Sequence, residues 1–140
     1  MSNRSPVFTP GGKTGRDDWE TPPAFYARLD EEFHFAFDPC PHNPTFDGLS
    51  VEWKFPAFVN PPYRSKDLSV WTLKCREEGR RGTVVALLPV RTGVAWWHDN
   101  VQGVAKDVRF LRGRLRFVGS KWSAPFDSCV VIWRPGACGR

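Results

Sequence analysis

Apolar residues recur along the chain with two periods, and each change of period marks the edge of an element. Phe25, Leu29 and Phe33 stand four apart, which predicts a helix with one face toward a core. Thr21-Pro22-Pro23 precedes it, a threonine suited to capping and prolines suited to a first turn. From Phe33 the period shortens to two. Phe33, Phe35 and Phe37 alternate with smaller or polar residues, predicting a strand that ends at Asp38-Pro39. Residues 40–50 are rich in Pro, Asn, Asp and Gly and read as a loop. Residues 55–59, Phe-Pro-Ala-Phe-Val, make a second short strand, stopped by Pro61 and Pro62.

Residues 66–80 return to helical spacing, with Leu68, Trp71 and Cys75 on one face and Gly82 beyond the end. Residues 83–90, Thr-Val-Val-Ala-Leu-Leu-Pro-Val, are the unbroken apolar run of a strand covered on both faces. Thr92 is placed to cap a further helix carrying Val94, Trp97 and Val101 and closing near Gly103. Of the neighbours Trp96 and Trp97, one is expected in the core and one exposed. Residues 107–111 and 127–133 read as two more strands. Helices alternating with apolar strands predict an α/β fold with a mostly parallel sheet. Ligands bind beyond the carboxyl ends of such strands. Asp38-Pro39, Asn60-Pro61-Pro62-Tyr63 and Arg91-Thr92 each follow a predicted strand, so three polar clusters are expected on one edge.

Composition narrows the class without deciding it. A chain of 140 residues, 41% hydrophobic and 25% charged, suits one soluble globular domain. No run of about 18 apolar residues is present to span a membrane. Residues 1–16 are polar and rich in Gly and Pro, lack the apolar centre of a signal peptide, and are expected to form a flexible arm. The expected location is the cytoplasm. Cys40, Cys75, Cys129 and Cys138 show no Cys-x-x-Cys pair, so they read as reduced thiols. Cys40 and His42 lack the second pair that a zinc site needs, and no metal is expected. The net charge of +5 hints at a polyanionic partner. Its distribution says more: Arg109, Arg112, Arg114, Arg116 and Lys121 lie between Val108 and Phe126 with no acid among them. Interleaved with Phe110, Phe117 and Trp122, this segment reads as a nucleic-acid contact. Arg91 follows a buried strand and is expected to meet either phosphate or the neighbouring loop.

The most constrained stretch is Asn60-Pro61-Pro62-Tyr63. Two prolines fix φ at consecutive positions, and the second biases the first toward extended backbone. Neither donates an N–H, so the segment is a rigid rod whose carbonyls are free to accept. The Asn60 side-chain oxygen and the Pro61 carbonyl are placed to receive the two hydrogens of an exocyclic amine, with Tyr63 as a flat face for a planar ring.

These residues carry a resemblance. Asn60-Pro61-Pro62-Tyr63 resembles the catalytic motif of amino-methyltransferases that use S-adenosylmethionine. Together with Asp-Asp-Trp-Glu-Thr-Pro-Pro at 17–23, Asp-Pro-Cys-Pro at 38–41 and the segments at 87–99, 110–119 and 123–128, the chain is similar to the phage-type (Dam-like) DNA N6-adenine methyltransferases over about residues 17–133. The resemblance implies a compact Rossmann-like methyltransferase sheet of reduced strand number in a domain at 17–135, with a short tail at 136–140. It implies catalytic roles for Asn60, Pro61, Pro62 and Tyr63. Cofactor contacts are implied for Trp19, Thr21, Pro22, Asp38, Pro39, Cys40 and Asp47, and double-stranded DNA as partner for Arg91, Arg109, Arg112, Arg114, Arg116 and Lys121. The implied reaction is methyl transfer to N6 of a flipped-out adenine, as a modification of phage DNA. Cytosine-N4 methylation, protein-glutamine methylation and an inactive DNA-binding relative are the alternatives. The chain departs from the pattern in two places: Pro41-His42-Asn43 replaces the usual glycine-rich loop, and Asp38 and Asn60 are too close for the usual second and third strands.

Overall fold

The computed structural model describes residues 19–136. The expected arm, 1–16, and all but the first residue of the expected tail lie outside the described residues. Helix α1 spans Pro23–Phe33 and helix α2 Ser65–Glu78. Strands β1 (Ala57–Val59), β2 (Val84–Pro89), β3 (Asp107–Phe110) and β4 (Ser128–Trp133) form one sheet in the order β1-β2-β4-β3.

Every residue of β1, β2 and β4 is buried, which is why these runs carry no polar alternation. Each enclosed Val, Leu or Ile contributes roughly 1.5–3 kcal/mol of hydrophobic stabilisation. Helix α2 turns Leu68, Trp71, Thr72 and Cys75 inward, the stripe expected of a crossover helix. On α1 only Leu29 is fully buried, while Tyr26 meets Phe58 of β1 edge-on at 5.1 Å. The outer strand β3 is half exposed and carries Asp107 and Arg109, charges that discourage pairing with another chain.

The expectation of a mostly parallel sheet is not met. Only β1 and β2 pair in parallel; β4 pairs antiparallel with both β2 and β3. The crossover through α2 returns the chain in the same direction, whereas β4 re-enters between β2 and β3 and runs against both. A fully buried strand has the same apolar pattern in either direction, so the period could not reveal this. The strand expected to end at Asp38 is reduced to one parallel bridge, Phe37 to Ala57, with Phe58 N–H donating to the Phe37 carbonyl at 2.9 Å. Residues 38–56 then form turns and no strand, in keeping with the missing second and third strands.

The helix expected after Thr92 is also different. Regular structure there is a short π-helical turn, Trp97–Val101, closed by Gln102 N–H on the Trp97 carbonyl at 2.8 Å. Thr92 caps nothing; its carbonyl accepts from His98 Nε2 at 2.7 Å. Trp96 and Trp97 are both buried, so the expectation of one exposed indole is wrong. Adjacent side chains on a regular helix diverge by about 100°, and a widened turn lets both rings enter the core.

Candidate active site

Phe37, β1 and β2 run in one direction, so the polar groups that follow them share an edge of the sheet. β3 runs the same way, being antiparallel to β4. The basic segment 111–127 therefore leaves from that edge and returns to it at β4. Four chain segments meet there.

Asn60 follows β1 directly. Its Nδ2 donates to the Trp19 carbonyl at 2.6 Å and to Thr21 Oγ1 at 2.9 Å. Its Oδ1 is buried and has no hydrogen-bond partner. A buried, unpartnered acceptor costs about 1–3 kcal/mol and asks for a ligand donor. Among the described residues no hydrogen bond engages the Pro61 carbonyl either. The two acceptors predicted from the sequence are thus both unspent. Thr21 does not cap α1, whose first turn follows Pro22 with no side-chain cap; its hydroxyl is given to Asn60.

Tyr63 departs from its expected role as an open stacking face. It is 1% exposed, its hydroxyl donates to the Leu87 carbonyl of β2 at 2.8 Å, and burial holds its phenol well above the usual value. Its ring meets Phe126 at 5.6 Å and Phe117 at 6.3 Å, both from segment 111–127. Trp19 packs on the same two rings at 5.3 and 5.4 Å, and Val118 N–H donates to the Glu20 carbonyl at 3.1 Å. The segment thus lies folded over the tetrapeptide. Arg91 Nη2 donates to the Tyr63 carbonyl at 3.1 Å, which ties it to the loop, the second of its two expected partners.

Asp38 is the other polar group of the edge. Burial pushes its carboxyl up to about 6, against one Cys40 N–H, at 2.8 Å from Oδ1, that favours the charged form. A small cleft beside it is lined by Pro39, Cys40, Asp47, Gly48 and Trp71. Three of the implied cofactor residues, Pro39, Cys40 and Asp47, are brought together there, while Asp38 precedes this lining without being part of it. Asp47 also closes its own turn, accepting from Leu49 N–H at 3.0 Å and Ser50 Oγ at 2.9 Å. Trp71, absent from the sequence expectation, enters because its inward position on α2 places it under this loop. Trp19 and Thr21 meet Asn60 instead, and Pro22 leads into α1, its carbonyl accepting from Tyr26 N–H at 3.0 Å. The cleft is built without a glycine-rich loop: Trp53 Nε1 donates to the Gly48 carbonyl at 2.8 Å and its ring stacks near Trp71.

The basic residues divide into two groups. Arg109 forms a bidentate pair with Glu32 at 2.7 and 2.8 Å, Arg114 meets Asp127 at 3.1 Å, and Arg116 Nε donates to the Ser120 carbonyl at 3.0 Å. Arg112 and Lys121 are exposed and have no partner among the described residues. Trp122 beside them is 78% exposed, an aromatic that sequence interleaving marked only as part of a pattern.

The mixed sheet thus carries at its edge a proline-stiffened loop with two unengaged acceptors, Asn60 Oδ1 and the Pro61 carbonyl. The chain belongs to the DNA N-6-adenine-methyltransferase (Dam) family, whose model matches residues 9–135. Neither a curated protein nor a solved structure matches it. Among the described residues no helix is long and apolar enough to cross a membrane.

Proposed function

We propose that the protein transfers a methyl group from S-adenosylmethionine to N6 of an adenine flipped out of double-stranded DNA. The observation that carries this reading is the buried, unpartnered Oδ1 of Asn60, held by two hydrogen bonds on its amide nitrogen. An adenine N6 has two hydrogens and a lone pair delocalised into the ring. Asn60 Oδ1 and the Pro61 carbonyl accept the two hydrogens, favouring a pyramidal nitrogen whose lone pair is available. S-adenosylmethionine, when bound, would supply the electrophilic methyl group and leave as S-adenosylhomocysteine, and the methylated N6 would release one proton to solvent. Asp38, Pro39, Cys40 and Asp47 are the residues that would hold it. For Tyr63 to present its ring to the base, Phe117 and Phe126, which now cover it, have to move aside. Extrusion of the base costs a few kcal/mol, which contacts to the duplex must offset.

The sheet supports this reading as a shortened Rossmann-like arrangement, since β4 alone runs against the other strands. The assignment of 17–135 as the catalytic domain, the modification of phage DNA and a cytoplasmic setting belong to the same proposal.

The test is to incubate the protein with S-adenosylmethionine and unmethylated DNA, digest to nucleosides and analyse by mass spectrometry. N6-methyladenine is expected, and Asn60→Ala should abolish it while leaving the fold intact. N4-methylcytosine in its place, or full activity in Asn60→Ala, would overturn the reading.

A further inference from the structure

An amide side chain has a donor end and an acceptor end, and what fixes its orientation decides what it offers a ligand. The Trp19 carbonyl can only accept, so the nitrogen of Asn60 must face it, at 2.6 Å. Thr21 Oγ1 takes the second hydrogen at 2.9 Å. Both donors are then spent, and Oδ1 is left as the only end that can meet a substrate.

We propose that the Trp19 carbonyl and the Thr21 hydroxyl are a positioning pair that locks Asn60 with its oxygen toward the target amine and makes the site selective for asparagine over aspartate. The inference rests on the proposed role of Asn60 in methyl transfer and adds what holds it there. It gives Thr21 a function other than capping or cofactor contact. Aspartate is nearly the same shape as asparagine, yet it would set a carboxylate oxygen where a donor now faces the Trp19 carbonyl. Oxygen against oxygen at that separation is repulsive unless the carboxyl is protonated, and a protonated carboxyl has one hydrogen where two are needed. The site therefore rejects the charged form of the nearest substitute.

Thr21→Val keeps the shape and removes the acceptor; Thr21→Ser keeps the acceptor. In a ¹⁵N-labelled protein the Asn60 side-chain NH₂ should show two hydrogens protected from exchange. Thr21→Val should lose protection at one of them, and Thr21→Ser should restore it. In methyl transfer, Thr21→Val should lower kcat by about tenfold, the loss expected of one misdirected hydrogen bond. The KM for DNA and the calorimetric affinity for S-adenosylmethionine should be unchanged, with Thr21→Ser recovering the rate. Asn60→Asp should melt well below wild type at pH 8, and the gap should narrow as pH falls and the new carboxyl takes up its proton.

Unchanged Asn60 NH₂ signals in Thr21→Val would overturn the positioning pair. So would a loss of cofactor affinity with kcat intact, or an Asn60→Asp variant as stable at pH 8 as wild type. If the NH₂ signals and the Asn60→Asp melts behave as expected but wild type methylates no DNA, the positioning pair stands and the proposed reaction fails.

Discussion

A carboxyl group largely withdrawn from water, with one backbone N–H to accept, keeps its proton to higher pH than a fully solvated one. Asp38 is such a group, pushed from 3.8 to about 6 chiefly by burial. Because the folded value is the higher, the native state binds the proton more tightly than the unfolded chain between those two pH values. Stability contributed by this group is greatest in acid, falls as pH rises from about 4 to about 6, and stays low above. The difference corresponds to at most about 3 kcal/mol. Asp38→Asn should therefore melt above wild type at pH 7.5 and lose that advantage near pH 4; equal melting temperatures at pH 7.5 would refute the burial argument. If Asp38 faces a cationic part of the cofactor, binding at pH 6 should release about half a proton, measurable by calorimetry in buffers of differing ionisation heat. The placement of Asn60 and Asp38 on one edge was legible from the sequence, because each follows an apolar run and precedes a proline that ends it. The task of Thr21 was not. Its local context favours a helix cap, and only the approach of β1, 39 residues later in the chain, shows where the hydroxyl goes.

Strand positions were legible because burial leaves a period that can be counted; strand directions were not. β4 and β2 have the same unbroken pattern, yet one runs against the other. The first expected strand failed for a different reason: Pro39, Pro41 and Pro44 follow Phe37 so closely that no ladder can extend. The loop they open depends on Gly48. A Cβ at that position would lie 1.7 Å from the Pro39 carbonyl oxygen and 2.8 Å from the Trp71 ring, so the backbone itself would have to shift. Gly48→Ala should cost on the order of 1–3 kcal/mol by overpacking, read from urea denaturation. It should also weaken S-adenosylmethionine binding, because the displaced loop carries Cys40 and Asp47. Wild-type stability together with wild-type affinity would detach this cleft from the cofactor. The aromatic cover of Tyr63 was only half visible in advance. Phe117 and Phe126 stood in a segment read as a nucleic-acid contact, and nothing in their spacing indicated that they turn inward while the arginines turn out.

Across the whole molecule the surplus of +5 is distributed unevenly, because among the described residues Arg64, Arg81, Arg109 and Arg114 each stand against an acid while other basic residues do not. Arg109 is engaged by Glu32 and stacks near Phe33 at 5.6 Å, holding β3 to α1, while Arg114 is matched by Asp127. A paired guanidinium presents little net field to a phosphate, and shifting it onto DNA means breaking the pair first. Arg112 and Lys121 have no such competition and lie on the segment that folds over the candidate site. Each phosphate neutralised on duplex DNA contributes about −0.9 to the slope of log affinity against log salt. Arg112→Gln with Lys121→Gln should therefore flatten the slope by roughly 2 and weaken binding on any sequence. Arg109→Gln should leave the slope almost unchanged and lower the melting temperature instead. Trp122, exposed and next to Lys121 in the chain, belongs to neither class. Removing its ring in Trp122→Ala takes away no charge, so the salt slope should stay that of wild type. Affinity should still drop if the indole stacks on bases, an interaction of about 1–3 kcal/mol. Salt titrations of the three variants by fluorescence anisotropy separate the roles. A double variant with the wild-type slope, or an Arg109→Gln variant that flattens it, would move the DNA face away from Arg112 and Lys121.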